Sequence, residues 1–170
     1  MQRVWAPWRM EYILDAKDQA RDECILCTLP RSRADCDNLI LWRDRLVFTL
    51  LNKFPYAPGH LMVAPFLHTA DLEGLGPAAL TDLMFGVQRA VDCLRRAMSP
   101  DGFNIGINLG RAAGAGIPGH LHYHVVPRWQ GDHNFMPVLA ETKVIPQHLQ
   151  RTYDQLAPFF QADREVLGEE

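Results

Sequence analysis

The chain lacks the features that would send it to a membrane or a nucleic acid. No apolar run approaches the roughly 20 residues that cross a bilayer, and the opening MQRVWAPWRM carries no apolar core of the secretory-leader kind. Basic residues are not in excess, since 17 Lys and Arg stand against 20 Asp and Glu for a net charge of −3, with no basic run. Binding through phosphate neutralisation is therefore disfavoured, and neither a nucleic acid nor a membrane is an expected partner. Cysteine is scarce as well: four in 170 residues do not make a disulfide framework. The expectation is a cytoplasmic protein without a covalent scaffold. What is abundant is apolar side chain, 48% of the total, enough for one domain over residues 1–170 with its own core.

Periodicity divides that domain. Residues 39–42 and 46–51 read as short strands around the polar turn Arg43-Asp44-Arg45. Two prolines and a glycine make 52–59 a loop, and 60–65 a third strand closed by Pro65. From Pro77 to Met98 the period lengthens: Leu80, Leu83, Met84, Val87, Val91 and Leu94 recur at steps of three and four, giving one amphipathic helix. Strands follow at 103–108 and 120–128, then a helix at 144–160 beginning near Pro146. Residues 1–20 form an N-terminal arm mixing aromatics with both charges, and 161–170 a polar, frayed tail. Five short strands with segregated helices predict an α+β fold, its five-stranded antiparallel sheet a meander with one long and one C-terminal helix.

The chemistry concentrates between Asn104 and Arg128, in NIGINLGRAAGAGIPGHLHYHVVPR. If 120–128 is a strand, alternation puts His120, His122 and His124 on one face, neighbours roughly 6.5 to 7 Å apart. Ahead of them Gly110, Gly114, Gly116 and Gly119 allow backbone N–H groups to approach an anion, those around Ala115 and Gly116 above all. Such a row fits satisfied core histidines, a shared zinc, or imidazoles working on a phosphate. The Cys24-Ile-Leu-Cys27 pair is open in the same way. Redox use would need a thioredoxin-like context that is missing, zinc would need two further ligands, and a pair of buried thiols is the remaining reading.

The segment HLHYHVV resembles the histidine triad pattern, His-φ-His-φ-His-φ-φ with φ apolar, and NKFPYAPGHLMVAP upstream resembles the Asn-x-x-Pro and Pro-Gly-His segment of the same superfamily. The flanks WAPWRMEYI and PRWQGDHNFMPV are similar to its bacterial diadenosine tetraphosphate phosphorylase-like branch, so the resemblance runs from about Trp5 to Leu149. It implies a HIT-like fold and an enzyme that cleaves dinucleoside polyphosphates at the α-phosphate through a nucleotidyl-histidine, by phosphorolysis or hydrolysis. A nucleoside phosphoramidate hydrolase and a nucleotide-binding module without turnover are the alternatives. The resemblance makes His122 the nucleophile, has His124 bond a non-bridging or leaving oxygen, lets His120 bind zinc or orient the row, and sets His60 behind the triad. Asn52 would reach a ribose and Asn108 a phosphate or sugar. Trp129 would stack on adenine, with buried packing the other use of its indole. Relatives also select His68 and His120 to complete a closed, structural zinc site with Cys24 and Cys27. No organic cofactor is implied, and a homodimer with adjoining sheets is. One departure stands out: many hydrolases of the superfamily carry Gln, Ser or Thr just before the triad, where this chain has Gly116, Ile117 and Pro118.

Overall fold

A computed structural model describes residues 23–132 and 148–167, with side chains to residue 163. The arm, the start predicted for the last helix, and His133 and Asn134 lie outside them. The elements are α1 Ile25–Arg31, β1 Ile40–Arg43, β2 Val47–Leu51, β3 Leu61–Pro65, α2 Pro77–Met98, β4 Gly102–Ile107, β5 Tyr123–Arg128 and α3 Leu149–Leu167. The α+β class holds, but the sheet is not a simple meander. Its order is β1-β2-β3-β5-β4, antiparallel at every pairing. After β3 the chain crosses the sheet as α2 and lays β4 at the outer edge. The β4–β5 hairpin then turns inward and seats β5 against β3.

Alternation along the strands gives the sheet two unlike faces. On one, Trp42, Val47, Leu51, Leu61, Val63 and Val125 meet Leu83, Val87, Ala90 and Leu94 of α2 and Leu156 and Phe160 of α3 in the main core. On the other, Ile40, Phe48, Leu50, Met62 and Ala64 are covered by Leu26 and Leu29 of α1 and by Ile117.

Pro77 opens α2 at its first turn, and Ser99, at φ 47°, closes it by donating its N–H to the Arg95 carbonyl. α3 docks through the Tyr153 hydroxyl, which donates to the Ile40 carbonyl at 3.1 Å, and through Arg96–Asp163 at 2.7 Å.

Three departures from the sequence expectations have local causes. α1 was not anticipated, because seven residues containing Pro30 show no helical period. It is held instead by Arg43 of β1, which donates to the Pro30 carbonyl at 2.8 Å and to both Asp35 oxygens. Pro158 does not end α3, which continues to Leu167, so much of the expected tail is helical. The strands also begin later than read, at Leu61 and Tyr123, leaving His60, His120 and His122 just outside the ladder.

Gly86 sets how closely α2 approaches the sheet, since a Cβ there would lie 2.8 Å from Val63 Cγ1. Replacing it with valine should destabilise the domain by about 1–3 kcal/mol through overpacking. A lowered urea midpoint at unchanged slope would register this, and an unchanged midpoint would contradict the packing.

Candidate active site and metal cluster

The site grows from the pairing of β3 with β5. Met62 lies opposite His124, and on the other side of β5 Gly106 of β4 also faces His124. By parity, His60, Met62, His122 and His124 share the face that carries the smaller core cluster. With no side chain, Gly106 leaves open space beside His124. Asn108 follows the last residue of β4, one position past the Ile107–Tyr123 pair.

Backbone partners fix the protonation of each ring. His122 Nδ1 lies 2.8 Å from the His120 carbonyl, which can only accept, so Nδ1 carries the proton and Nε2 keeps its lone pair. His60 Nδ1 accepts the Tyr56 N–H at 3.1 Å, so His60 Nε2 carries a proton and donates it to His124 Nδ1 at 3.0 Å. His124 is left with its proton on Nε2. The rings of His122 and His124 stand edge to face, centroids 4.8 Å apart, closer than the backbone spacing alone predicts. One offers a lone pair, the other an N–H.

Burial tunes these rings. His122 is only 4% exposed, and desolvation pushes its pKa below the usual value against the bond to His120. His124 is lowered to about 4, first by burial and then by the neighbouring His122. Both are neutral at pH 7, so the Nε2 lone pair of His122 is available without a base to remove a ring proton.

The other predicted residues are placed unevenly. Asn52 stands at the end of β2, its Oδ1 accepting the Phe54 N–H at 2.9 Å and its Nδ2 3.4 Å from His60 Nδ1. The glycine-rich loop folds through a short 3₁₀ turn, Arg111–Ala113, with Gly110 and Gly114 at φ 77° and 85°. Ala115 spends its N–H on the Gly110 carbonyl at 3.3 Å, and Gly116 follows it in the loop. Trp129 lies beyond the far end of β5, where Arg128 pairs with Gly102, and its Nε1–H donates to the Met98 carbonyl at 3.4 Å. Within one chain it is not brought to the triad. Tyr56 was missed: its ring stacks on His60 at 4.9 Å, and its amide sets the whole His60–His124 arrangement. Nothing marks a backbone donor in sequence.

His120 turns away from the other two, towards Cys24, Cys27 and His68. One ligand atom from each of the four lies within 4.8 Å of the others, so the cluster could hold a metal ion. Cys24 sits at the N-cap of α1 and Cys27 in its first turn, which aims both sulfurs the same way. His120 Nδ1 lies 3.4 Å from Cys24 Sγ, 3.5 Å from Cys27 Sγ and 3.4 Å from His68 Nδ1, and Cys27 Sγ is 3.4 Å from His68 Nδ1. The His120 proton is on Nε2, donated to the Pro65 carbonyl at 2.9 Å, so its Nδ1 lone pair points into the cluster. Burial, and then the neighbouring Cys24, raise the Cys27 pKa, a cost that a bound cation would reverse.

Residues 33–131 match the family model described as HIT domain. An AP-4-A phosphorylase of Mycobacterium tuberculosis is 40% identical over 163 residues, 92% of this chain and 83% of that protein. A bis(5'-nucleosyl)-tetraphosphatase (asymmetrical) of Schizosaccharomyces pombe is 30% identical over 71% of this chain and 63% of its own length. Among solved structures, a Zn-bound histidine triad family protein from Mycobacterium smegmatis superposes with a TM-score of 0.68 at 26% identity, over 85% of this chain and 97% of that one.

The lowered pKa of His124 has a defined effect on stability. The unfolded ring takes up a proton near pH 6.5, while the folded one resists until about 4. Stability carried by this ring is therefore full above pH 6.5 and lost as pH falls through that window. Urea midpoints of the wild type should fall more steeply between pH 6.5 and 4 than those of His124→Asn. Parallel slopes would mean that the ring is not desolvated.

Proposed function

This chain belongs to the HIT domain family, and on that basis we propose that it is an enzyme cleaving dinucleoside polyphosphates at the α-phosphate through a covalent nucleotidyl-histidine. The observation that carries the reading is the complementary pair of rings: His122 with a lone pair at Nε2, His124 with a proton there. The 40% identity to an AP-4-A phosphorylase supports the substrate class.

His122 Nε2 attacks the α-phosphorus, a P–N bond forms, and the bond to the bridging oxygen breaks. The leaving nucleotide departs with that electron pair, and His124 Nε2–H donates a hydrogen bond to the departing or a non-bridging oxygen as charge develops. His60 keeps His124 in the donating tautomer. Asn108 and the loop amides around Gly116 face the phosphates, and Asn52 the sugar. Inorganic phosphate or water then attacks the same phosphorus and restores His122.

The ion suited to the Cys24, Cys27, His68 and His120 cluster is zinc. Tetrahedral bonds of roughly 2.3 Å to sulfur and 2.0–2.1 Å to nitrogen require separations of about 3.5 Å between S and N and about 3.4 Å between the two nitrogens. The cluster spacings of 3.4 and 3.5 Å agree with both. With four protein ligands the site is closed, and the ion supplies structure rather than an exchangeable water. The protein works as a homodimer in the cytoplasm. The outer strand β4, with Ile105 47% exposed and Leu109 just past its end 45% exposed, offers an edge on which a second sheet can continue. Four free cysteines suit a reducing compartment.

Incubation with diadenosine tetraphosphate should give ATP and, with phosphate present, ADP. AMP in place of ADP would identify water as the acceptor, and no cleavage would end the reading. His122→Gly should abolish turnover, a loss of at least about a thousandfold, while retaining the wild-type circular dichroism.

Elemental analysis of protein purified without added metal should find one zinc per chain. Cys24→Ser should lose both the metal and thermal stability, and metal-free wild type of unchanged melting temperature would refute the structural assignment.

A further inference from the structure

We propose that the Cys24, Cys27, His68 and His120 cluster is the positioning device of the nucleophile, so that an ion held there sets the tautomer and aim of the His122 ring. The two sites share one residue. His120 turns its Nδ1 into the cluster, while its carbonyl, on the same residue, accepts the His122 Nδ1–H at 2.8 Å.

The surrounding bonds show why the ion matters. His122 precedes the first ladder residue of β5, so no strand pairing fixes its peptide. The approach to it is held by the end of β3 and the residues that follow: Pro65 accepts from His120 Nε2–H at 2.9 Å, and Thr69 accepts the Leu121 N–H at 2.7 Å. Between those two carbonyls lies His68, itself exposed, whose ring a Cβ added at Gly119 would meet at 3.8 Å. An ion bonded to both His68 and His120 buckles that segment to residues 119–121. It also ties both to α1 through the two sulfurs. Neutral hydrogen bonds are weak restraints beside metal–ligand bonds. Without the ion the His120 peptide can rotate, and the proton on His122 is then free to move to Nε2, where it blocks attack.

Groups that orient a reacting or ligating residue from behind are typically worth 10–100-fold, and the same loss is expected here. It should fall on kcat, because Asn52 and the His60–His124 pair are held by one another and by the Tyr56 amide rather than by the cluster. His68, Cys24 and Cys27 are thus positioning residues acting through His120.

The inference rests on reading His122 as the nucleophile, but its first readout needs no substrate. In zinc-loaded wild type, long-range ¹H–¹⁵N spectra should show His122 protonated at Nδ1. In chelator-stripped wild type and in Cys27→Ser, that signal should give way to the Nε2–H form, and added zinc should restore it in the stripped wild type. With diadenosine tetraphosphate, kcat should drop about 10–100-fold with KM unchanged within about twofold. A metal-free protein that keeps the Nδ1–H tautomer and full kcat overturns the proposal. If stripping unfolds the chain, cobalt(II)-loaded wild type decides. Adding ADP should shift its ligand-field bands, the same addition to cobalt(II)-loaded His122→Gly should not, and bands unmoved in the wild type overturn the proposal. Failure of loaded wild type to cleave the dinucleotide would instead count against the proposed activity, and the tautomer comparison would still stand.

Discussion

One hydrogen bond carries the chemical logic of this protein: the His122 Nδ1–H to the His120 carbonyl, 2.8 Å long and almost fully buried. A free imidazole exchanges its proton between two nitrogens and offers either to a substrate. A carbonyl that can only accept removes the ambiguity. Burial completes the effect by disfavouring the charged ring, so a neutral, single-tautomer imidazole is present without a base beside it to remove a proton.

The remaining rings follow the same rule with the opposite outcome. For His60 the fixed partner is a donor, the Tyr56 amide, and the constraint passes through His60 Nε2 to His124. Two backbone groups of opposite polarity therefore produce two imidazoles of opposite function, less than 5 Å apart. No charged side chain is needed to tell them apart.

Much of this was legible in the sequence, and what was not has physical reasons. The alternation of His120, His122 and His124 announced one row, of which His122 and His124 stand together while His120 turns to the cysteines, and the apolar steps from Leu80 to Leu94 announced the long helix. Strand order was beyond reach, because β4 and β5 both read as short extended segments and only their packing decides which is central. α1 escaped notice because a seven-residue helix containing proline is stabilised by Arg43 and by the sheet rather than by its own pattern. Of the site, the side chains were readable and their anchors were not. The carbonyls of His120 and Pro65 and the amide of Tyr56 are backbone groups that every residue has, and nothing in a residue's identity says which of them will be aimed. Trp129 shows the converse, an informative residue type placed by the fold at the far end of its strand.

His124 stands on an interior strand, flanked by Met62 of β3 on one side and Gly106 of β4 on the other, with His122 just ahead of the ladder. A residue so placed is clamped by neighbours on both flanks, whereas the loops at the sheet's rim are built of turns and glycines with few such ties. Invariance and tolerance are thereby assigned to different parts of the chain. Replacing a rim loop can change which molecule is admitted while the angle between the two imidazoles stays as it was, so a scaffold of this kind can diversify its diet without relearning its chemistry.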